Sequence, residues 1–137
     1  MSEQNKAVVR NIINECWNKR NANLAADFFS SNCVIQTPDG ELRGVEGAKQ
    51  LLSAYATGFP DFQISIGDVI AEGDKVVLRY TFSGTNSGSL GGGRPTGKRV
   101  STSGISLFSL AGGKVSDAKM EWDRVALREQ LGLLSAA

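Results

Sequence analysis

The chain has 137 residues, 15 Lys and Arg against 14 Asp and Glu, a formal charge of +1, 41% hydrophobic residues, two cysteines and no histidine. That length supports one domain, residues 1–137, which buries roughly two thirds of its unfolded surface and needs no disulfide staple. The charge balance lacks the basic footprint of a nucleic-acid binder, the missing histidine removes Ser-His-Asp and Cys-His pairs and His-ligated zinc, and two cysteines cannot build a four-thiolate metal site.

The one dense basic group, Arg94, Lys98 and Arg99, is short. Cys16 and Cys33 read as small buried hydrophobes in a reducing compartment. The N-terminal stretch MSEQNKAVVRNIINECWNKR has no uninterrupted apolar core, and no segment approaches the roughly 18 apolar residues of a membrane span. A soluble, cytoplasmic protein without membrane or nucleic-acid partners is therefore expected.

In chain order, Val8, Val9, Ile12, Ile13, Cys16 and Trp17 recur at helical spacing and predict a core-facing helix. Asn21 or Asn23 is expected to cap a shorter helix through Leu24, Ala25, Phe28 and Phe29, ending at Ser30, Ser31 and Asn32. Cys33 to Gln36 predict a short strand before a turn at Pro38, Asp39 and Gly40. A third helix is expected over 45–57, with Gly58 as a left-handed C-cap and Pro60 blocking continuation.

From Asp61 the period changes to two. Phe62, Ile64 and Ile66 alternate in one strand reaching toward Ile70, and Val76, Leu78, Tyr80 and Phe82 in the next, with Gly73-Asp74 as the turn between them. The Gly- and Ser-rich stretch 84–97 predicts a loop, either a flexible flap over a binding mouth or an idle connection. It lacks the GxxxxGK[ST] pattern of a phosphate loop and leads into a strand rather than a helix. A strand over 99–110, a tight turn at Gly112-Gly113, a strand over 114–123 and a helix over 125–134 complete the chain. The order predicts an α+β fold: a curved antiparallel sheet, a cone-shaped half-barrel, with the N-terminal helices packed over its concave face.

The stretches FPDFQISIGDVIAEGDKVVLRYTFSGTNSG, PTGKRV, GISLF and GGKVSDAKMEWDRVALREQLG together resemble the SnoaL-like polyketide cyclases of the nuclear-transport-factor-2-like superfamily. That resemblance implies a cone admitting a small, mostly apolar carbonyl compound, a homodimer or higher homo-oligomer, and an intramolecular aldol ring closure that uses no metal or organic cofactor. It matches the family's acidic residue to Asp123, after Trp122, as general acid and base. A carboxylate in an apolar cavity has its pKa raised toward the range where proton transfer runs both ways. The chain departs from the family pattern at Ala118 and Lys119 and, after the matching Gly84 and Thr85, at Asn86 in place of a histidine.

Trp17, Phe28, Gln36, Tyr55, Tyr80, Ser103, Lys119 and Glu121 are the candidate pocket residues. Each has a structural counterpart reading as core or surface. If Lys119, Glu121 and Asp123 share an inward face, neighbours lie about 7 Å apart and the ammonium lowers the pKa of Asp123. The opposite face, Ala118, Met120 and Trp122, then covers a subunit interface; otherwise it points to the core and Asp123 caps the last helix. The alternatives to a cyclase are an isomerase or epoxide hydrolase in the same cone, or a non-catalytic ligand-binding or dimerisation module.

Overall fold

In the computed structural model, which describes residues 2–133, the first helix, α1 (Ser2–Asn11), widens into a π-helical stretch at Ile12–Trp17. Val9, Ile12, Ile13, Cys16 and Trp17 are all buried, as their spacing predicts. A short 3-10 turn (Ala22–Leu24) and α2 (Ala25–Phe28) follow. Asn21 occupies the N-cap position of that turn, but its side chain makes no capping bond, contrary to the sequence expectation. The remaining elements are β1 (Phe29–Thr37), β2 (Gly40–Arg43), α3 (Gly44–Gly58), β3 (Gln63–Glu72), β4 (Lys75–Thr85), β5 (Arg99–Ala111), β6 (Lys114–Trp122) and α4 (Arg124–Gln130).

The six strands form one sheet in the order β2-β1-β6-β5-β4-β3. Neighbours are antiparallel except β1 and β6, which run parallel, so the sheet is mixed rather than wholly antiparallel as expected. That pairing is what draws the N-terminal half against the C-terminal strand. β1 is also longer than predicted, because Ser30, Ser31 and Asn32 run within the strand instead of ending a helix, across an irregularity in the pairing between Phe29 and Val34.

Alternation puts Val76, Leu78, Tyr80 and Phe82 of β4, Thr102, Ser106 and Phe108 of β5, and Ala118, Met120 and Trp122 of β6 on the concave face, under the helices. Ala118 is wholly buried and Met120 is 7% exposed within one chain. The apolar stripe of β6 is therefore core, and the expectation that it covers a subunit interface is corrected. Lys119 and Glu121 take the opposite parity and are exposed.

Three polar side chains fix this arrangement in ways periodicity does not reveal. Asn18 accepts from the Ile64 amide (2.7 Å) and donates to the Ile64 carbonyl (2.9 Å), standing in for a missing strand partner at the edge of β3. Arg20, in the left-handed region at φ 54°, lies over the Phe62 ring at 4.4 Å and donates to the Pro60 carbonyl. Asn86, 2% exposed, donates to the carbonyls of Gly58 (3.0 Å) and Gly88 (2.9 Å) and accepts from the amide and hydroxyl of Thr96 (2.9 and 3.0 Å).

Asn86 thus ties the base of the 84–97 loop to the end of α3. Gly58 lies inside that helix, and Phe59, at φ −133°, ends it; the predicted left-handed cap is absent. Glycine is needed at 58 for a different reason, since a Cβ there would sit 2.9 Å from the Cβ of Leu90 in the loop. Gly112 and Gly113 do adopt positive φ in the β5–β6 turn. The last helix ends earlier than expected, with Gly132 at φ 75° donating to the Glu129 carbonyl and Leu133 to that of Arg128, a Schellman closure. Leu134, the predicted end, lies outside the described residues.

Replacing Asn86 strands several buried partners at once. Asn86→Ala is expected to lower unfolding free energy by about 1–3 kcal/mol in urea titration and to speed proteolysis within residues 87–97. An unchanged midpoint and cleavage rate would contradict its anchoring role.

Candidate functional site

Helix and sheet do not meet everywhere. Between Ile13 and Trp17 of the π-helical stretch, Leu51 and Tyr55 of α3, Leu127 of α4 and the concave faces of β3 to β6 lies a cavity. Its interior is about 70 Å3, and interior and mouth together span about 650 Å3. A water takes about 10–15 Å3 of such an interior, which therefore accepts several waters or the end of a small molecule.

The wall is overwhelmingly apolar. Among the described residues, polar groups enter it from Tyr55, Tyr80, Thr102, Ser106 and Trp122, and no Asp, Glu, Lys or Arg lines it. Trp17, Tyr55 and Tyr80 are the sequence-predicted residues that meet there. Tyr55 packs edge-on against Phe82 (5.7 Å) and Trp122 (5.6 Å), which fixes its ring. Tyr80 pairs across the sheet with Gly104, and its ring leans over that residue, where a Cβ would fall 2.3 Å from the Tyr80 hydroxyl.

Burial holds both phenols in their protonated form. The Tyr80 hydroxyl is pushed up to about 12, chiefly by desolvation and slightly offset by its bond with Ser106. Desolvation pushes Tyr55 well above the ordinary phenol range, and the negative charge of Asp39 adds to it, while Arg124 works the other way. At neutral pH these groups donate hydrogen bonds and do not act as bases. The Trp122 indole nitrogen is buried and has no hydrogen-bond partner among protein atoms. A buried unpaired donor carries a cost of about 1–3 kcal/mol, so it calls for an explanation.

The other predicted pocket residues lie elsewhere. Phe28 packs against the core from α2 without reaching the cavity. Gln36 is exposed on β1, beside Lys119 in register. Ser103, Glu121 and Asp123 line a shallow hollow with Arg79 and Ile105, on the convex side of the sheet. Asp123 is exposed; its Oδ1 accepts from the Ala126 amide at 2.8 Å and caps α4. Lys119, Glu121 and Asp123 do share a side, but it is the solvent side, because a charged row costs least where water reaches it.

Thr102, Ser106, Trp122 and Leu127 are cavity residues that the sequence reading did not single out. The usable signal is parity: even-numbered positions over 100–108 of β5 and 118–122 of β6 are small or apolar, so the face they share is inward. Asp39 also gains significance. Arg124 donates to its Oδ1 (3.1 Å) and to the Pro38 carbonyl (3.1 Å), clamping the β1–β2 turn to the start of α4, and the charge of Asp39 reaches the Tyr55 hydroxyl. Burial raises the thiol of Cys16 to about 11 and also raises Cys33, so neither is an activated nucleophile. Among the described residues no cluster of three or more Cys, Asp or Glu side chains is placed to hold a metal ion.

A family model described as SnoaL-like polyketide cyclase matches residues 7–131. A candidate SnoaL-like polyketide cyclase from Jannaschia sp. CCS1 superimposes with a TM-score of 0.89 at 23% identity, over 98% of this chain and 95% of that one. AclR, a candidate hydroxylase from Streptomyces galilaeus, gives 0.86 at 26% identity over 100% and 90%. IdmH, a candidate polyketide cyclase from Streptomyces antibioticus, gives 0.82 at 22% over 94% and 99%. At such identities the first and third similarities speak for the fold alone. No curated protein sequence matches the chain significantly.

The chain has two tyrosines, so their ionisation is readable by ultraviolet absorbance. Both are expected to titrate above the unperturbed value near 10. Because their folded pKa values are raised, stability is unaffected by them below pH 10 and falls as pH climbs from there toward 12. A folded-state tyrosine midpoint at 10 for either would contradict the buried, donor-only site.

Proposed function

The chain belongs to the SnoaL-like polyketide cyclase family, and we propose that it is a cofactor-independent enzyme moving a proton on a small, mainly apolar carbonyl compound. Aldol-type ring closure of a polyketide ester is the preferred reaction. The observation that carries this reading is the apolar cavity whose few polar groups are protonated hydroxyls and an indole N–H, a lining suited to a carbonyl oxygen and hostile to a charged ligand. The interior takes the carbonyl end, and the remainder of the molecule extends through the mouth.

In such a reaction a carboxylate takes a proton from the carbon between two carbonyls, the resulting enolate carbon bonds to a second carbonyl carbon, and the carboxylic acid returns its proton to the alkoxide formed. Asp39 is the carboxylate we assign to this step, since Arg124 holds its Oδ1 at 3.1 Å beside the start of α4, the helix that supplies Leu127 to the wall. A second reading keeps Asp123. It immediately follows the cavity residue Trp122, and only one of its oxygens serves the helix cap.

Isosteric variants separate the two. With turnover of a β-keto ester panel followed by mass spectrometry, Asp39→Asn is expected to lower the rate about 10²–10⁴-fold with ligand affinity retained. Asp123→Asn is expected to leave the rate unchanged, because Asn caps a helix as well as Asp. The reverse ranking transfers the acid-base role to Asp123. Ligand binding without any turnover would favour the binding module, and a product isomeric without ring closure the isomerase.

A further inference from the structure

Trp122 ends β6 on the concave face with its ring edge-on to Tyr55, centroids 5.6 Å apart. Its Nε1 is buried without a partner, although the Tyr55 hydroxyl lies close enough for the indole to affect that hydroxyl's ionisation. No bond between the two groups meets hydrogen-bond geometry, and both residues line the cavity. Indole N–H only donates, and a phenol kept protonated donates as well. Neighbouring donors left short of one another suit a third atom, an acceptor that takes both.

We infer that Trp122 Nε1 is the fixed donor for the ligand's buried oxygen, with the Tyr55 hydroxyl as its second donor, so that the ligand presents a bare acceptor oxygen there: a ketone or ester carbonyl, or the enolate derived from it. The inference deepens the proposed function and rests on the cavity being its binding site. A ligand group that brings its own N–H, or only C–H, leaves the indole unpaired and is disfavoured. When a proton leaves the adjacent carbon, negative charge gathers on that oxygen, and preset donors in a dry cavity stabilise it without reorganising. Trp122 then acts on the reacting group directly and sets which end of the ligand enters first.

The chain has two tryptophans, so the 15N-labelled protein gives two indole N–H signals, and Trp122→Phe assigns them. The probes are cyclohexanone and methylenecyclohexane, the same ring with C=CH2 replacing C=O. Cyclohexanone is expected to move the Trp122 indole signal downfield saturably, and methylenecyclohexane is not. The affinity ratio of ketone to alkene is expected to fall about five- to tenfold in Trp122→Phe, the loss of one net hydrogen bond. If both probes bind and shift the signal alike, or the ratio is unchanged in the variant, the donor role is overturned while the cavity reading survives. If neither probe binds, the cavity reading itself fails. Should Trp122→Phe not fold, Trp17→Phe leaves the Trp122 indole as the one remaining signal, and its shifts with the two probes decide between these outcomes.

Discussion

Every functional feature of this molecule depends on the parity of β6. Its residues alternate Ala118, Met120, Trp122 against Lys119, Glu121, and only one set can lie beneath the helices. Burying an unpaired ammonium or carboxylate costs far more than burying three apolar side chains returns, so the charged row faces water and the apolar row faces the cone. Because the side-chain period of a strand is two, a shift of one residue would exchange the faces completely. The pairings of β6 with β5 on one side and with β1 on the other hold the register that prevents this.

From that choice the chemistry of the interior follows. With the charged row excluded, the cavity's polar groups are Tyr55, Tyr80, Thr102, Ser106 and the Trp122 indole, all neutral at physiological pH. Such a lining binds and polarises an oxygen but does not itself remove a proton. The cavity is therefore a dry interior of donors, and the carboxylate proposed to serve it, Asp39, lies outside its wall under the Arg124 clamp. The helices complete this division: Ile13 and Trp17 roof the cavity from the π-helical stretch, whose widened turn is held to β3 by Asn18.

The helix pattern of Val8 to Trp17, the alternation of β3 and β4 and the Gly112-Gly113 turn were legible because each is a local rule satisfied by adjacent residues. The parallel pairing of β1 with β6 was not, since it joins segments some eighty residues apart with no local signal. Ser30 to Asn32, whose residues favour turns, run on in the strand across the break in its pairing with β6 between Phe29 and Val34. Asn18, Arg20 and Asn86 have the composition of loop residues, and only their long-range bonds to Ile64, Pro60 and Gly58 show that they are structural. At the site, Tyr55, Tyr80 and Trp17 were identifiable as aromatics within apolar stripes. Lys119, Glu121 and Ser103 were not separable from pocket residues until the parity of the strands was known, and Asp123 satisfied the family's pattern and a helix cap equally well.

If the proposed function holds, a ligand binds in the concave cavity and not in the convex hollow around Arg79, Ser103, Glu121 and Asp123. A crystal structure of the protein soaked with a small cyclic ketone tests this most directly. The ring is expected among Trp17, Leu51 and Met120 with its oxygen between Trp122 and Tyr55. A ketone seated in the convex hollow against Asp123, with the cavity filled by its own side chains, would contradict it.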